Sequence, residues 1–330
     1  MGMGFSLFAV VILACVALAG VGAAHFHHFF GVVVPYVSIA VFILGFIYRV
    51  VRWGASPVPF RITTTCGQQR SLPWIKASRL ENPWDTLGLV GRMALEVLVF
   101  RSLFRNTKTQ LQGQKAGYAS AKWLWLAGLT FHYAFLTILV RHFRFFTEPI
   151  PFFVRWIEEL DGLFAIAVPT IYLTDLALVG AVSFLFLRRV VIPQVRYISL
   201  PADYFPLFLI LGIAVSGIIT RHIAKVDLLG VKSLALGLFT FRPVLPDGIG
   251  LSFYVHLFLV CVLIAYFPFS KLMHMGGVFL SPTRNLTGDS RTRRHINPWN
   301  YPVKVHTYEE YEDDFRDKMI QAGLPVEKRE

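Results

Sequence analysis

The chain has 330 residues, of which 55% are hydrophobic and only 16% are charged. That composition is too apolar for a water-soluble domain and too poor in charge for a disordered one. The formal charge of +12 reads as the loop excess of a membrane protein before it reads as a nucleic-acid footprint, and three cysteines without a Cys-x-x-Cys pair supply neither an iron–sulfur cluster, a structural zinc site nor a disulfide framework.

Apolar runs near the ~20 residues that cross a bilayer predict spans over Phe5–Ala24, Val32–Val51, Lys122–Phe146, Leu163–Leu187, Tyr204–Thr220 and Leu251–Met275. The fold class that follows is an all-α integral membrane protein, a six-helix bundle with an interfacial helix and a cytoplasmic tail. The first run is followed by Ala-Gly-Val-Gly-Ala-Ala, as a cleaved signal would be. Its first basic residue is only Arg49, whereas a signal needs an early positive region, so the helix is expected to be retained. His25, His27 and His28 fall in the next loop, read as solvated, with a metal site as the alternative.

The segment 52–121 is rich in Arg and Lys, and Arg188, Arg189 and Arg196 follow the fourth span. The positive-inside rule makes both cytoplasmic, with both termini on that side of the cytoplasmic (inner) membrane. Within this segment, 83–104 reads as an interfacial helix. Asn82 is the expected N-cap, Pro83 suits the first turn and Asp85 favours the positive end of the dipole. Its apolar face (Leu87, Val90, Ala94, Leu98) is interrupted by Arg92, Glu96 and Arg101, which suits an interface better than a span. Mid-way along the fourth span stands Asp175, with Thr170 and Thr174. A membrane acid is a functional candidate by default, here either a proton relay or a hydrogen-bonding group.

Beyond Ser281 the chain turns polar. Thr307 and Glu310 form a capping box ahead of Tyr308, Tyr311, Phe315 and Met319, which share a face, and Gly323 and Pro325 end that helix. It is read as docking on a cytoplasmic partner. The organisation is then an N-terminal helix and outer loop over 1–31, a membrane domain over 32–280 and a tail over 281–330. His295 and His306 in the tail carry no clear signal.

Four other histidines are more informative. His132 and His142 share the third span, and His256 and His274 share the sixth. Ten helical residues rise about 15 Å, and eighteen make five turns and rise about 27 Å. The two spans run in opposite directions, so His142 meets His256 on the outer side and His132 meets His274 nearer the cytoplasm. Paired neutral imidazoles at two depths suit two low-spin b haems. Straight rods would misalign the pairs by roughly 12 Å, and Pro268 predicts a kink between His256 and His274. Gly276 and Gly277 beside His274 suggest close approach of backbone and porphyrin. Arg141, Arg144, Arg221 and Lys271 stand where propionates would lie, or serve as interfacial anchors.

With these spacings of ten and eighteen, the chain resembles the cytochrome b subunits of the respiratory nitrate reductase gamma-subunit superfamily, five-helix anchors with two histidines on each of two helices. The likeness covers Val32 to Met275, with one additional helix in front. Three segments are similar to a narrower family, DsrM (also HmeC), the membrane subunits of the sulfite-reduction-associated DsrMKJOP complex. These are Phe-Arg-Ser-Leu-Phe-Arg-Asn at 100–106, Cys-Gly-Gln-Gln-Arg-Ser-Leu-Pro-Trp-Ile-Lys at 66–76, and a tail motif from Asn297 to Glu312. The resemblance implies two haem b groups, menaquinol oxidation near the outer face, and electron delivery to a cytoplasmic iron–sulfur subunit (DsrK-like, akin to heterodisulfide reductase). It also implies neighbouring DsrMKJOP subunits, including an outer multihaem cytochrome c.

The expectation is therefore the electron-transfer, quinol-oxidising subunit of an oxidoreductase. Its haem-iron ligands are His142 with His256 and His132 with His274. Its candidate proton acceptors are His222, Glu158, Glu159 and Asp161. The rivals are a haem-bearing wire without a quinone site, and a haem-free anchor or transporter with core histidines.

Overall fold

In the computed structural model of the chain, residues 2–58, 61–62, 67–163, 171–289 and 305–327 are described. Cys66, Thr170, His295 and the tail stretch 297–304 lie outside them. The first span is α1 (Gly2–Gly22). A π turn, Phe29–Val33, leads into α2 (Val34–Gly54). Next come α3 (Thr86–Val99) and α4 (Arg101–Arg105), then a hairpin of β1 (Thr107–Gln112) and β2 (Lys115–Ser120). The rest is helical. In order, it comprises α5 (Lys122–His142), α6 (Phe152–Leu163), α7 (Leu173–Val191), α8 (Pro193–Ile198), α9 (Pro201–Ile218), α10 (Leu228–Phe239), α11 (Leu251–Tyr266), α12 (His274–Gly277) and α13 (Tyr308–Gln321).

Among the described residues, five helical stretches are long and apolar enough to cross a membrane: Gly2–Gly22, Phe29–Gly54, Lys122–Phe145, Pro201–Ile223 and Leu251–Phe269. Large apolar side chains on their outer surfaces stay exposed, Phe5, Phe8, Leu44 and Leu136 among them, as a hydrocarbon solvent allows. The fourth expected span is α7. It starts ten residues later than the sequence suggested and carries Asp175, Arg188 and Arg189. It packs between α5 and α9, while α11 packs on α1, α2 and α9. The packing order α5–α7–α9–α11 thus sets the two histidine-bearing helices apart and lets their rings meet across the space between. Buried Leu178, Val182, Leu209 and Leu259 fill the middle of this arrangement.

Several expectations are corrected. The interfacial helix is capped by Asp85, whose carboxylate accepts from the Gly88 amide at 2.7 Å. Asn82 is instead spent on Arg61 and on the Gly67 carbonyl. The Gly88 amide and Arg79 hold the Asp85 carboxyl below the usual carboxylate range. Nor does this helix run unbroken to residue 104. It stops at Phe100, which adopts φ 51° and ψ 46°, a left-handed conformation that costs a non-glycine residue about 1–2 kcal/mol. The hairpin at 107–120 was not foreseen. Its signals were a Thr-Lys-Thr-Gln-Leu alternation and a two-residue turn with Gly113 at φ 64°, the position where such turns favour glycine.

The sixth span also differs. It ends at Tyr266 and passes through a 3-10 turn holding Pro268. Ser270 is then extended, at φ −116° and ψ 176°, before a second 3-10 turn, Lys271–Met273, leads to α12. Proline cannot donate the next helical hydrogen bond and clashes with the preceding turn. Gly45 of α2 admits this break, since a Cβ there would lie 2.8 Å from Pro268. The tail helix is as expected: Thr307 and Glu310 cap each other's backbone. It closes at Gly323, with Leu324 and Gly323 amides donating to the Met319 and Ile320 carbonyls in a Schellman pattern.

Candidate functional site

The break after α11 dissolves the depth mismatch. His274 does not lie on the helix that carries His256, so the rise of a straight eighteen-residue helix does not apply. The structure brings the four histidines together in the two expected pairs. The His142 and His256 ring centroids are 6.3 Å apart, with planes at 23°. Those of His132 and His274 are 5.9 Å apart, with planes at 81°.

Two imidazoles bound to one metal from opposite sides, each at about 2 Å, place their centroids roughly 6 Å apart. A direct hydrogen bond between the rings would bring them to roughly 5 Å. The observed separations fit the first arrangement. The other ring nitrogens agree with it. Each Nδ1 lies within hydrogen-bonding distance of a backbone carbonyl: His132 on Gly128 at 2.7 Å, His142 on Ile138 at 2.7 Å, His256 on Ile213 at 3.1 Å and His274 on Lys271 at 2.8 Å. A carbonyl can only accept, so each Nδ1 donates, and in the neutral imidazole that leaves the lone pair on Nε2. Such outer contacts are what fix the tautomer and orientation of a ligating histidine. Ser216 Oγ adds a contact at 3.0 Å to His256 Nδ1. The donor set and spacing therefore fit haem iron at both positions.

The surroundings of the pairs differ. His142 and His256 line a cavity of about 390 Å³, walled by apolar side chains such as Phe135, Ile213 and Leu234. Gly217 of α9 lies against His256, where a Cβ would fall 3.0 Å from Cε1. One rim of the cavity is polar, with Arg144, Glu158, Asp175, Thr220 and Arg221. His132 and His274 are exposed. Phe100 and Phe131 each meet His132 edge-on, with centroids 4.9 Å away. Gly276 and Gly277 face Phe46 and Trp53 of α2, so they serve helix packing.

The basic residues singled out from sequence are already engaged. Arg141 is buried between Asp161 (2.5 Å) and Asp175 (2.8 Å), and the Tyr172 ring lies 4.1 Å from its guanidinium carbon. Arg144 and Arg221 share Glu158, and Arg221 also donates to Tyr172 Oη at 2.6 Å. Arg141, Arg144 and Arg221 are balanced there by Asp161, Asp175 and Glu158, so the rim is a charge-paired network whose guanidinium groups could still meet an anionic group. Lys271 binds Asp203 at 2.6 Å. Asp175, left open from sequence, is thus a structural partner of Arg141. It also stands 3.5 Å from His222 Nε2.

Of the proton-acceptor candidates, Asp161 is committed to Arg141 and Thr174, and Glu158 is shared as described. Glu159 is exposed. His222 sits in a π turn, Ile219–Ile223, and its Nε2 is buried without a hydrogen-bond partner among the described residues, as is the Thr220 hydroxyl. The loop histidines His25 and His27 stack with centroids 6.1 Å apart, and no cluster of three or more metal-ligating side chains occurs among the described residues. The sequence reasoning missed Phe100, Ser216 and Gly217. Only a bulky residue held within a helix–helix break distinguishes the first, and nothing in the sequence marks the other two.

Residues 89–290 match the family described as the nitrate reductase gamma subunit. The chain is 46% identical over 278 residues to the Hdr-like menaquinol oxidoreductase cytochrome b-like subunit of Archaeoglobus fulgidus, covering 82% of this chain and 83% of that one. It is 42% identical over 274 residues to the protein of the same name from Archaeoglobus profundus, covering 81% of each. To the respiratory nitrate reductase 1 gamma chain of Escherichia coli it is 28% identical over 165 residues, 46% of this chain and 71% of that one.

Proposed function

The chain belongs to the nitrate reductase gamma-subunit family, and from that membership we propose that it is a dihaem cytochrome b subunit of a membrane electron-transfer complex. It exchanges electrons between the menaquinone pool and a cytoplasmic iron–sulfur subunit of the heterodisulfide-reductase kind. The observation that carries this reading is the pair of imidazole pairs, 6.3 and 5.9 Å apart, with every Nδ1 turned to a carbonyl.

Haem b bound between each pair supplies reversible one-electron chemistry. The chain supplies the rest. His142 and His256 would hold the outer group, and His132 and His274 the inner one. Arg144 and Arg221 share a single carboxylate, Glu158, and so keep guanidinium N–H groups available to propionates. Arg141 and Lys271 are weaker candidates for that role because carboxylates already hold them. Menaquinol oxidation releases two electrons and two protons, and His222 is the favoured proton acceptor. Its Nε2 is buried, makes no hydrogen bond among the described residues and stands 3.5 Å from Asp175. Glu158, Glu159 and Asp161 rank behind it.

The relatives' names, which include a menaquinol oxidoreductase, support the quinol as substrate. The likeness to DsrM at 66–76, 100–106 and 297–312 supports a place in sulfite metabolism beside DsrK-like and other DsrMKJOP partners, among them an outer multihaem cytochrome c. The basic cytoplasmic segment and α13 are the docking surfaces, with both termini on the cytoplasmic side of the inner membrane.

The test is a pyridine haemochrome assay on the purified chain, followed by reduced-minus-oxidised spectra with and without menaquinol. Two haems per chain, reduced by menaquinol, are expected. A colourless, correctly folded preparation rejects the haem reading. Haems indifferent to menaquinol and to its analogues leave a transmembrane wire.

A further inference from the structure

Phe100 stands out because it breaks a local rule and the break is held in place. It is left-handed, at φ 51°, where glycine or asparagine is the usual residue. It ends α3 and begins α4, and its amide donates back to the Leu95 carbonyl. The end of α3 leaves carbonyls free, and α5 takes them. Trp125 Nε1 donates to the Val99 carbonyl at 2.7 Å, and Tyr133 Oη donates to the Leu98 carbonyl at 2.9 Å. Phe104 packs edge-on against Trp125, with centroids 4.9 Å apart. These contacts fix the break along the stretch of α5 from Trp125 to Tyr133, which includes His132.

The Phe100 ring then meets His132 edge-on at 82°, while Phe131 meets it at 88°. With Nδ1 tied to Gly128, the imidazole is held on two flanks and at one nitrogen. Its plane lies at 81° to that of His274. At the other pair, where Ser216 and the Ile213 carbonyl set His256, the planes lie at 23°. We propose that Phe100 is a positioning residue, which turns the His132 imidazole across that of His274 and so gives the inner haem crossed axial ligands while the outer haem keeps near-parallel ones. This rests on the dihaem reading above.

Ferric low-spin haem with crossed imidazole planes gives a broad electron paramagnetic resonance signal with a large maximal g value. Near-parallel planes give a rhombic spectrum. The difference arises because parallel ligand planes split the iron d orbitals that crossed planes leave nearly degenerate. The oxidised holoprotein is therefore expected to show one signal of each kind. Phe100→Gly removes the ring while relieving the backbone, and Phe100→Leu keeps bulk without a flat edge. Both are expected to retain two haems, move the large-g signal toward the rhombic form and leave the other unchanged. Phe100→Tyr is expected to preserve both signals.

An oxidised wild type with two haems but no large-g signal overturns the proposal. So do unchanged spectra in both Phe100→Gly and Phe100→Leu, or equal shifts of both signals. Loss of the inner haem alone in both variants assigns Phe100 to packing and likewise overturns its orienting role. A wild type that binds no haem overturns the dihaem reading instead, which haemochrome counting distinguishes beforehand.

Discussion

The two imidazole pairs come from the same two stretches of chain and differ in nearly everything around them. His142 and His256 line an apolar cavity of about 390 Å³, with near-parallel rings. His132 and His274 are exposed, with crossed rings and an aromatic clamp on one member. The difference teaches that the opposite directions of two stretches of chain set which imidazoles meet, whereas elements distant in sequence set what each pair becomes. At the enclosed pair those elements are α9, α10 and the π turn carrying Thr220 and His222. At the open pair they are α2 and the break between α3 and α4. An enclosed site raises the cost of any uncompensated charge, which fits the ion pairs at its rim. An open site would let a docked partner come close, as the proposed electron transfer to one requires.

The largest test of this contrast is to remove one ligand at a time. His142→Ala or His256→Ala is expected to halve the haem content and abolish the signal of the enclosed site alone. His132→Ala or His274→Ala is expected to do the same at the open site. Haemochrome counting with low-temperature optical spectra reads the result. If any single substitution empties both sites, the two regions are not independent and the comparison fails.

Next in size is Arg141→Leu. It leaves the Asp161 and Asp175 carboxylates buried without their cation, and breaking such a group costs about 3–5 kcal/mol. The rim of the enclosed site should loosen first. Thermal denaturation in detergent, followed in the haem bands, is expected to release the outer haem at lower temperature than in the wild type and ahead of the inner one. Simultaneous release of both would show that the triad holds the whole bundle.

How much of this was legible in the sequence follows the same division. The pairing of His142 with His256 and of His132 with His274 was readable, because chain direction is a local property. The capping box at Thr307 and Glu310 was readable for the same reason. The N-cap of α3 was misassigned because Asn82, a good cap by type, is drawn away by Arg61, a residue 21 positions earlier. The termination of α11 was read only as a kink, since nothing local says that Ser270 becomes extended. Phe100 was unreadable, because its left-handed turn is stabilised by Trp125 and Tyr133 across the fold.

A smaller effect sharpens the enclosed side of the comparison. Gly217→Val places methyl groups where a single Cβ already falls 3.0 Å from His256 Cε1. The ring must shift, and overpacking of this kind typically costs about 1–3 kcal/mol. The rhombic signal and midpoint potential of the outer haem are expected to move, with the inner signal untouched. An identical spectrum would mean that α9 yields instead of the ligand.

The smallest effect tests the open side from a distance. Asp85 caps α3, whose far end is fixed against His132 through Phe100. Asp85→Ala leaves the Gly88 amide unsatisfied at the helix start, and fraying there is expected to broaden only the inner signal. Acid should mimic the substitution. The folded carboxyl titrates below its usual value, so its contribution is present above the ordinary carboxylate pKa of about 4 and fades as pH falls through the lower folded value. A wild-type inner signal that broadens in that window, beside an Asp85→Ala signal that is already broad and stays unchanged, would tie the cap to the clamp. Equal acid responses in the two proteins would place the sensitivity elsewhere, and the interfacial helix would then be a passenger of the inner pair.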